Sequence, residues 1–168
     1  MSMFRRAERS KAKLRLGLSG VSGSGKTYSA LMVASGIVPW EKIALIDTEN
    51  GSGDLYAHLG PYSVCRVLAP FTIEKYLAAI KEAENAGFEL IIIDSLSHAW
   101  SGEGGLLDQQ AVAANSAKNK GNSYTAWREI TPLHNKLVET ILQSPCHIIA
   151  TTRSKQAYEQ VEENGRKK

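Results

Sequence analysis

Residues Gly20 to Thr27 read GVSGSGKT, a full match to G-x-x-x-x-G-K-[ST], the phosphate-binding loop pattern. Gly20, Gly23 and Gly25 carry no Cβ, so the backbone can curl until successive N–H groups converge on an anion. Val21, Ser22 and Ser24 complete the cradle, and Tyr28 adjoins it. Lys26 adds a mobile point charge for the β and γ phosphates, and the Thr27 hydroxyl is the right size to ligate Mg²⁺. The flanks supply the context the motif demands. LRLGLS (Leu14 to Ser19) is a short apolar run, and TYSALMVAS (Thr27 to Ser35) reads as a helix whose positive end faces the phosphates. The expected ligand is ATP with Mg²⁺.

Alternating signals continue outward from this loop. Gly36 is a fair C′ residue and Pro39 stops the first helix. KIALID (Lys42 to Asp47) is a buried-type strand, followed by a loop, Thr48 to Gly53, and a short helix, Asp54 to Leu59. Val64 to Leu68 is a third strand. Thr72 N-caps a helix to Ala86 that presents Ile73, Leu77 and Ile80 on one face, with Gly87 closing it. LIIID (Leu90 to Asp94) is apolar on both faces, as parallel strands covered by helices are. Thr131-Pro132 reads as N-cap and N1 of a helix to Gln143, and Cys146 to Thr151 as the last core strand. The pattern predicts an α/β fold with a mostly parallel sheet flanked by helices and ligands gathered at the strand carboxyl ends. Gly102 to Asn122 is expected to be a flexible loop. At the end of the chain, Ala157 to Val161 leads to Glu162-Glu163-Asn164-Gly165, and Asn-Gly is a strong hairpin-turn signal. With no returning strand evident, residues 154–168 are expected to be a truncated hairpin.

Bulk properties fit one domain spanning residues 1–168: 43% of residues are hydrophobic and 22% charged. No run of eighteen apolar residues predicts a membrane span. The N-terminus lacks the apolar region of a secretory signal, so a cytoplasmic location is expected. Cys65 and Cys146 are expected to be buried free thiols, and His58, His98, His134 and His147 have no ligand spacing. The net charge of +3 is unevenly spread. Arg5, Arg6, Arg9, Lys11, Lys13 and Arg15 crowd the basic N-terminal segment, and Arg166, Lys167 and Lys168 end the chain. Such ends suit either phosphate contacts on nucleic acid or a solvated tail.

Asp94, closing the apolar strand, stands where an acid holds Mg²⁺. Ser95 follows it in place of the glutamate that orients water in many ATPases. Glu49, just past the end of another strand, is therefore the expected base for in-line attack on the γ-phosphate.

The order GVSGSGKT, LIDTE, LIIIDS, IIATTRS resembles the RecA-type ATPase core. The whole chain, from FRRAERSKAKLRLGLSG through SYTAWREITPLHNKL to HIIATTRSK, is similar to a family of phage and prophage AAA-type ATP-binding proteins that includes RecA-like single-strand annealing proteins. The resemblance implies that Glu49 is the hydrolytic base and that Tyr56 stacks on adenine. It places Thr152 where RecA has a γ-phosphate-sensing glutamine; threonine is shorter, and neighbouring Arg153 is the alternative source of charge. It also implies DNA-binding loops at Gly102 to Asn122 and Ser154 to Lys168. Lys118, Lys120, Arg153, Lys155 and Arg166 would then contact phosphates, and Tyr124, Trp127 and Tyr158 would stack on bases. Packing on one helical face is the other reading of Tyr124 and Trp127. The partners implied are single-stranded DNA, a single-strand DNA-binding protein and further copies of the chain. Turnover is expected to be weak, because no trans-acting arginine is identifiable. Two other functions fit a phosphate loop: a small-molecule kinase, and a non-hydrolysing ATP-switched scaffold for phage replication partners.

Overall fold

The computed structural model describes residues 12–116, 118–119, 121–154, 162–163 and 166–167. Five parallel strands form one sheet: β1 (Arg15–Gly20), β2 (Ile43–Asp47), β3 (Ser63–Arg66), β4 (Leu90–Asp94) and β5 (His147–Arg153). Their order across the sheet is β1-β5-β4-β2-β3. All the carboxyl ends therefore share one rim, and Asp47 is paired with Asp94 at it.

Period-two alternation on continuous apolar strands makes two cores. Leu45, Leu90, Ile92 and Ile149 face helix α1 (Lys26–Ser35), which buries Ala30, Leu31 and Ala34 against them. Ile46, Ile91, Ile93 and Ile148 face the other way. There α2 (Ile73–Asn85) buries Ile73, Tyr76 and Ile80, and α5 (Ser123–Gln143) buries Ile130 and Leu137. The α/β expectation is met: a parallel sheet with helices on both faces.

Several boundaries differ from the sequence expectation. Helix α5 starts at Ser123, capped by Asn122 Oδ1, which accepts from Tyr124 N and Thr125 N. Pro132 thus lies inside the helix and not at its start. Proline removes one ladder hydrogen bond, but Ile130 and Leu137 on either side both bury, and packing outweighs the local preference. The expected loop between Gly102 and Asn122 contains α4 (Leu106–Ala114), whose Leu106 is buried. The short α3 (Leu96–Ser101) precedes it. Residues Ser52–Leu59 form 3₁₀ turns. Cys146 is buried as expected, whereas Cys65 is exposed. Glu162–Glu163 (β6) pairs antiparallel with Arg166–Lys167 (β7). The strand expected over Ala157 to Val161 lies outside the described residues, as do Arg5, Arg6, Arg9, Lys11 and Lys168 of the basic ends. Among the described residues no helix is long and apolar enough to cross a membrane.

Arg15, counted above with the basic cluster, is committed internally. Its guanidinium donates to the carbonyls of Leu14, Leu142, Ser144 and Cys146, tying the end of α5 to β1. Beside it, His147 Nδ1 accepts from Leu14 N at 2.9 Å, which requires a neutral nitrogen there. Burial first, then the Lys13 and Arg15 charges, hold the His147 pKa below its ordinary value of 6.5. The unfolded chain binds this proton more readily. Stability from this group is therefore full above about pH 6.5 and falls as the pH drops toward the depressed folded value. His147→Gln, a non-titrating acceptor, should flatten this part of the acid slope when Tm is measured between about pH 5 and pH 7. An unchanged slope would refute the assignment.

Candidate functional site

Three strand ends and one helix start converge at the rim. The turn from β1 into α1 puts Gly23 and Gly25 at φ 77° and 81°, the left-handed region that favours glycine. No acidic residue occupies the first turn of α1, so its positive end is uncompensated. Lys26 Nζ donates to Val21 O at 2.8 Å, folding the lysine over its own loop.

Asp94 at the end of β4 is 2% exposed. Thr27 Oγ1 donates to its Oδ2 at 2.5 Å, and Thr151 Oγ1 on β5 donates to its Oδ1 at 2.5 Å. The backbone continues the link, with Thr48 N donating to Asp94 O at 2.7 Å. At the end of β2, Asp47 organises the loop that carries Glu49. Its Oδ1 accepts from Glu49 N at 2.6 Å and its Oδ2 from Gly53 N at 3.0 Å. A Cβ on Gly53 would lie 2.5 Å from Leu45 Cδ2, so the loop can close this tightly only on glycine.

Both Glu49 carboxylate oxygens are engaged. Ser95 Oγ donates to Oε1 at 2.9 Å, and Arg153 forms an ion pair with Oε2. Ser95 is fully buried and is held in turn: its N–H donates to Thr48 Oγ1, and its carbonyl accepts from Tyr76 Oη at 3.1 Å. Burial pushes the Tyr76 pKa up to about 12, so this donor keeps its proton throughout the physiological range.

A pocket of about 230 Å³ is lined by Ser22, Gly23, Gly25, Lys26, Thr27, Glu49, Ser52, Tyr56, Asp94 and Arg153. It is smaller than the roughly 300–1,000 Å³ of sites that engulf a whole ligand, and fits the phosphate end of a nucleotide. The Tyr56 ring lies 6.1 Å from that of Tyr28, at the pocket's flank. Val21 is exposed on the outer side of the loop and Ser24 sits beneath Gly20; neither of them, nor Gly20 or Tyr28, lines the pocket.

Thr152 corrects one expectation. Thr151 reaches Asp94 and Arg153 lines the phosphate pocket, while Thr152 between them lines an adjoining, largely apolar cavity of about 720 Å³ with Trp100, His134 and Leu137, to which Arg153 also contributes. The polar β5 side chain that reaches the Asp94 carboxylate is Thr151. Sequence reasoning missed it, although period two from Arg153 would have found it.

The family profile described as the AAA domain matches residues 12–168. This chain belongs to the AAA domain family. Nucleotide binding follows from that membership, and ATP hydrolysis is the activity AAA domains generally carry. Among curated proteins none matches the chain.

In this AAA domain the other expected DNA contacts are differently placed. Lys118 Nζ pairs with Glu129 Oε1 at 2.8 Å, and Trp127 stacks on Trp100 at 5.8 Å. Tyr124 is exposed. Lys120, Lys155 and Tyr158 lie outside the described residues, as does the Arg166 side chain.

Replacing Thr151→Val keeps the shape but leaves a buried carboxylate oxygen without its donor. Urea unfolding should report a loss of at least about 1–3 kcal/mol, the range for stranding a buried polar group and a lower bound for a charged one. A change within about 0.5 kcal/mol, typical of surface substitutions, would mean that Thr151 does not hold Asp94.

Proposed function

We propose that this chain is a RecA-like, Mg²⁺-dependent ATPase of phage or prophage origin that acts on single-stranded DNA in recombination, repair or annealing. One observation carries the catalytic half: Lys26, Thr27, Asp94 and Glu49 line the same pocket at the carboxyl rim of the sheet.

The donor set fits Mg²⁺. Thr27 Oγ1 and Asp94 Oδ2 lie 2.5 Å apart at the pocket. They are hard oxygen ligands of the kind this ion takes alongside substrate phosphates and water. Among the described residues, no three His, Cys, Asp or Glu cluster as an all-protein metal cage. When bound, the ion supplies charge neutralisation on the β and γ oxygens.

The chain's own groups do the rest. Lys26 exchanges the Val21 carbonyl for a phosphate oxygen, a stronger charge-assisted bond. The α1 amides hold the β-phosphate. Ser95 fixes Glu49 through Oε1, and Oε2 becomes the base when Arg153 leaves it. Water attacks in line: its oxygen bonds to Pγ as the bond from Pγ to the leaving ADP oxygen breaks, and its proton passes to Glu49. Tyr56 at the flank is placed to meet the adenine.

The DNA half rests on the segment resemblance and on Arg153 at the end of β5. With Lys118 paired to Glu129, the cations expected along a strand path are Lys120, Lys155 and Arg166, and further copies of the chain would extend that path. A homo-oligomer, assisted by a single-strand DNA-binding protein, is the assembly that follows.

Glu49→Gln should keep ATP affinity within about threefold yet lower kcat by about 10² or more, the usual contribution of a general base. Lys26→Ala should instead lose ATP binding. Unchanged turnover in Glu49→Gln would remove it as the base. Fluorescence anisotropy with labelled single-stranded DNA, with and without ATP and Mg²⁺, tests the DNA half. The expected affinity declines with salt, and no binding at low salt would end that half of the reading.

A further inference from the structure

A second cavity, of about 540 Å³, opens at the same rim. It shares Glu49 and Arg153, and no other lining residue, with the phosphate pocket. The ion pair of these two residues is thus the partition between the two spaces. One part of the second lining is apolar, from Val67, Leu68 and Phe71; the remainder is polar, with Asn50 beside Glu49 and Arg153. Leu68 is 63% exposed, and Phe71 stacks on His98 with ring centroids 4.7 Å apart and planes within 18°.

We infer that this cavity is an effector subsite for one nucleotide unit, whose phosphate takes Arg153 from Glu49 and so frees the base. The inference rests on the ATPase reading above, in which Glu49 activates water.

Size, wall chemistry and charge all favour this occupant. The volume falls within the roughly 300–1,000 Å³ of small-ligand sites. A flat apolar wall beside ring faces suits an unpaired base, which stacks without regard to sequence. The cation in the lining is Arg153, so an anionic ligand must engage it; beside an unrelieved Glu49 carboxylate a phosphate would be repelled. The exchange is feasible. The Arg153 side chain is 40% exposed against 14% for Glu49, so solvent screens the pair from the arginine side, where a second anion can approach. A guanidinium can instead grip a phosphate with two parallel bonds. Arg153 N donates to Ser97 Oγ at 2.7 Å, so the main chain stays fixed while the side chain swings. A DNA strand and a free nucleotide present the same base and phosphate.

The test compares ATP turnover alone, with saturating oligo(dT), and with dTMP, in the full chain with Mg²⁺. Anisotropy of labelled oligo(dT) is read in parallel. Wild type should be stimulated by about tenfold, the scale of one charge-assisted contact. In Leu68→Glu, which sets a carboxylate in the cavity at an exposed position, the ratio of stimulated to unstimulated turnover should fall toward one. Phe71→Ala should do the same through loss of the wall. Stimulation by dTMP as strong as by oligo(dT) assigns the subsite to a free nucleotide; stimulation by the oligomer alone assigns it to a strand. An undiminished ratio in Leu68→Glu overturns the subsite while leaving DNA binding standing. Stimulation by dTMP without oligo(dT) binding upholds the subsite and ends the DNA reading. A wild-type ratio of one with both ligands overturns the inference outright.

Discussion

The buried carboxylate of Asp94 is the constraint on which the rim depends. Taking an ionised acid out of water costs several kcal/mol unless hydrogen bonds replace its hydration. Here the replacements come from two directions, Thr27 at the start of α1 and Thr151 on β5. The strand order makes this possible. β5 lies between β1 and β4, so the phosphate-loop strand stands one strand away from Asp94 and only the first turn of α1 can reach across. One side chain therefore ties the loop, the helix and the two central strands into a single frame. If Asp94 shifts, Thr27 and the loop must shift with it.

Glu49 is held on different terms. Its backbone is anchored by Asp47, which is as deeply buried as Asp94, but its carboxylate is shared between fully buried Ser95 and half-exposed Arg153. The first contact fixes direction; the second is screened by solvent and replaceable. The site thus divides into a stiff part that would hold phosphates and metal and a labile part that would do the proton transfer. Such a division suits chemistry in which nucleotide binding and turnover must be separable.

Much of this was legible in the sequence because it is local or periodic. GVSGSGKT fixes a loop within eight residues, and LIIID and KIALID announce buried parallel strands by their lack of polar positions. That Glu49 and Asp94 share a pocket followed from Asp94 closing one strand and Glu49 lying just past another in a parallel sheet. What escaped notice depends on tertiary contact. Helix α4 was obscured by the Gly and Ser flanking it, although Ala111, Ala113 and Ala114 are good helix formers once α5 covers Leu106. The start of α5 was hidden by Pro132, whose local signal normally marks a helix start. Asp47 looked like an ordinary strand-terminal acid, since nothing in its neighbours reveals that Gly53 folds back onto it. Thr152 was singled out by the resemblance alone, which carries no information about facing; on a strand one residue reverses the side, and it is Thr151 that reaches Asp94.

Arg153 gathers the consequences. It lines the phosphate pocket, the cavity beyond Glu49 and the apolar cavity that holds Thr152. A guanidinium carries five donors in a rigid plane, so it can satisfy a carboxylate or a phosphate fully but not both at full strength. In the proposed subsite, Glu49 and an effector phosphate would therefore be alternative partners for Arg153. With its backbone fixed by Ser97, such a residue would be a two-state element, biased from the phosphate pocket on one side and from the cavity beyond Glu49 on the other. Under the proposed reading, occupancy on one side would change the charge felt by Glu49 on the other without movement of the sheet. Coupling by this route needs only the reorientation of one side chain, which is why the sequence can place it on the last core strand, where the chain leaves the rim.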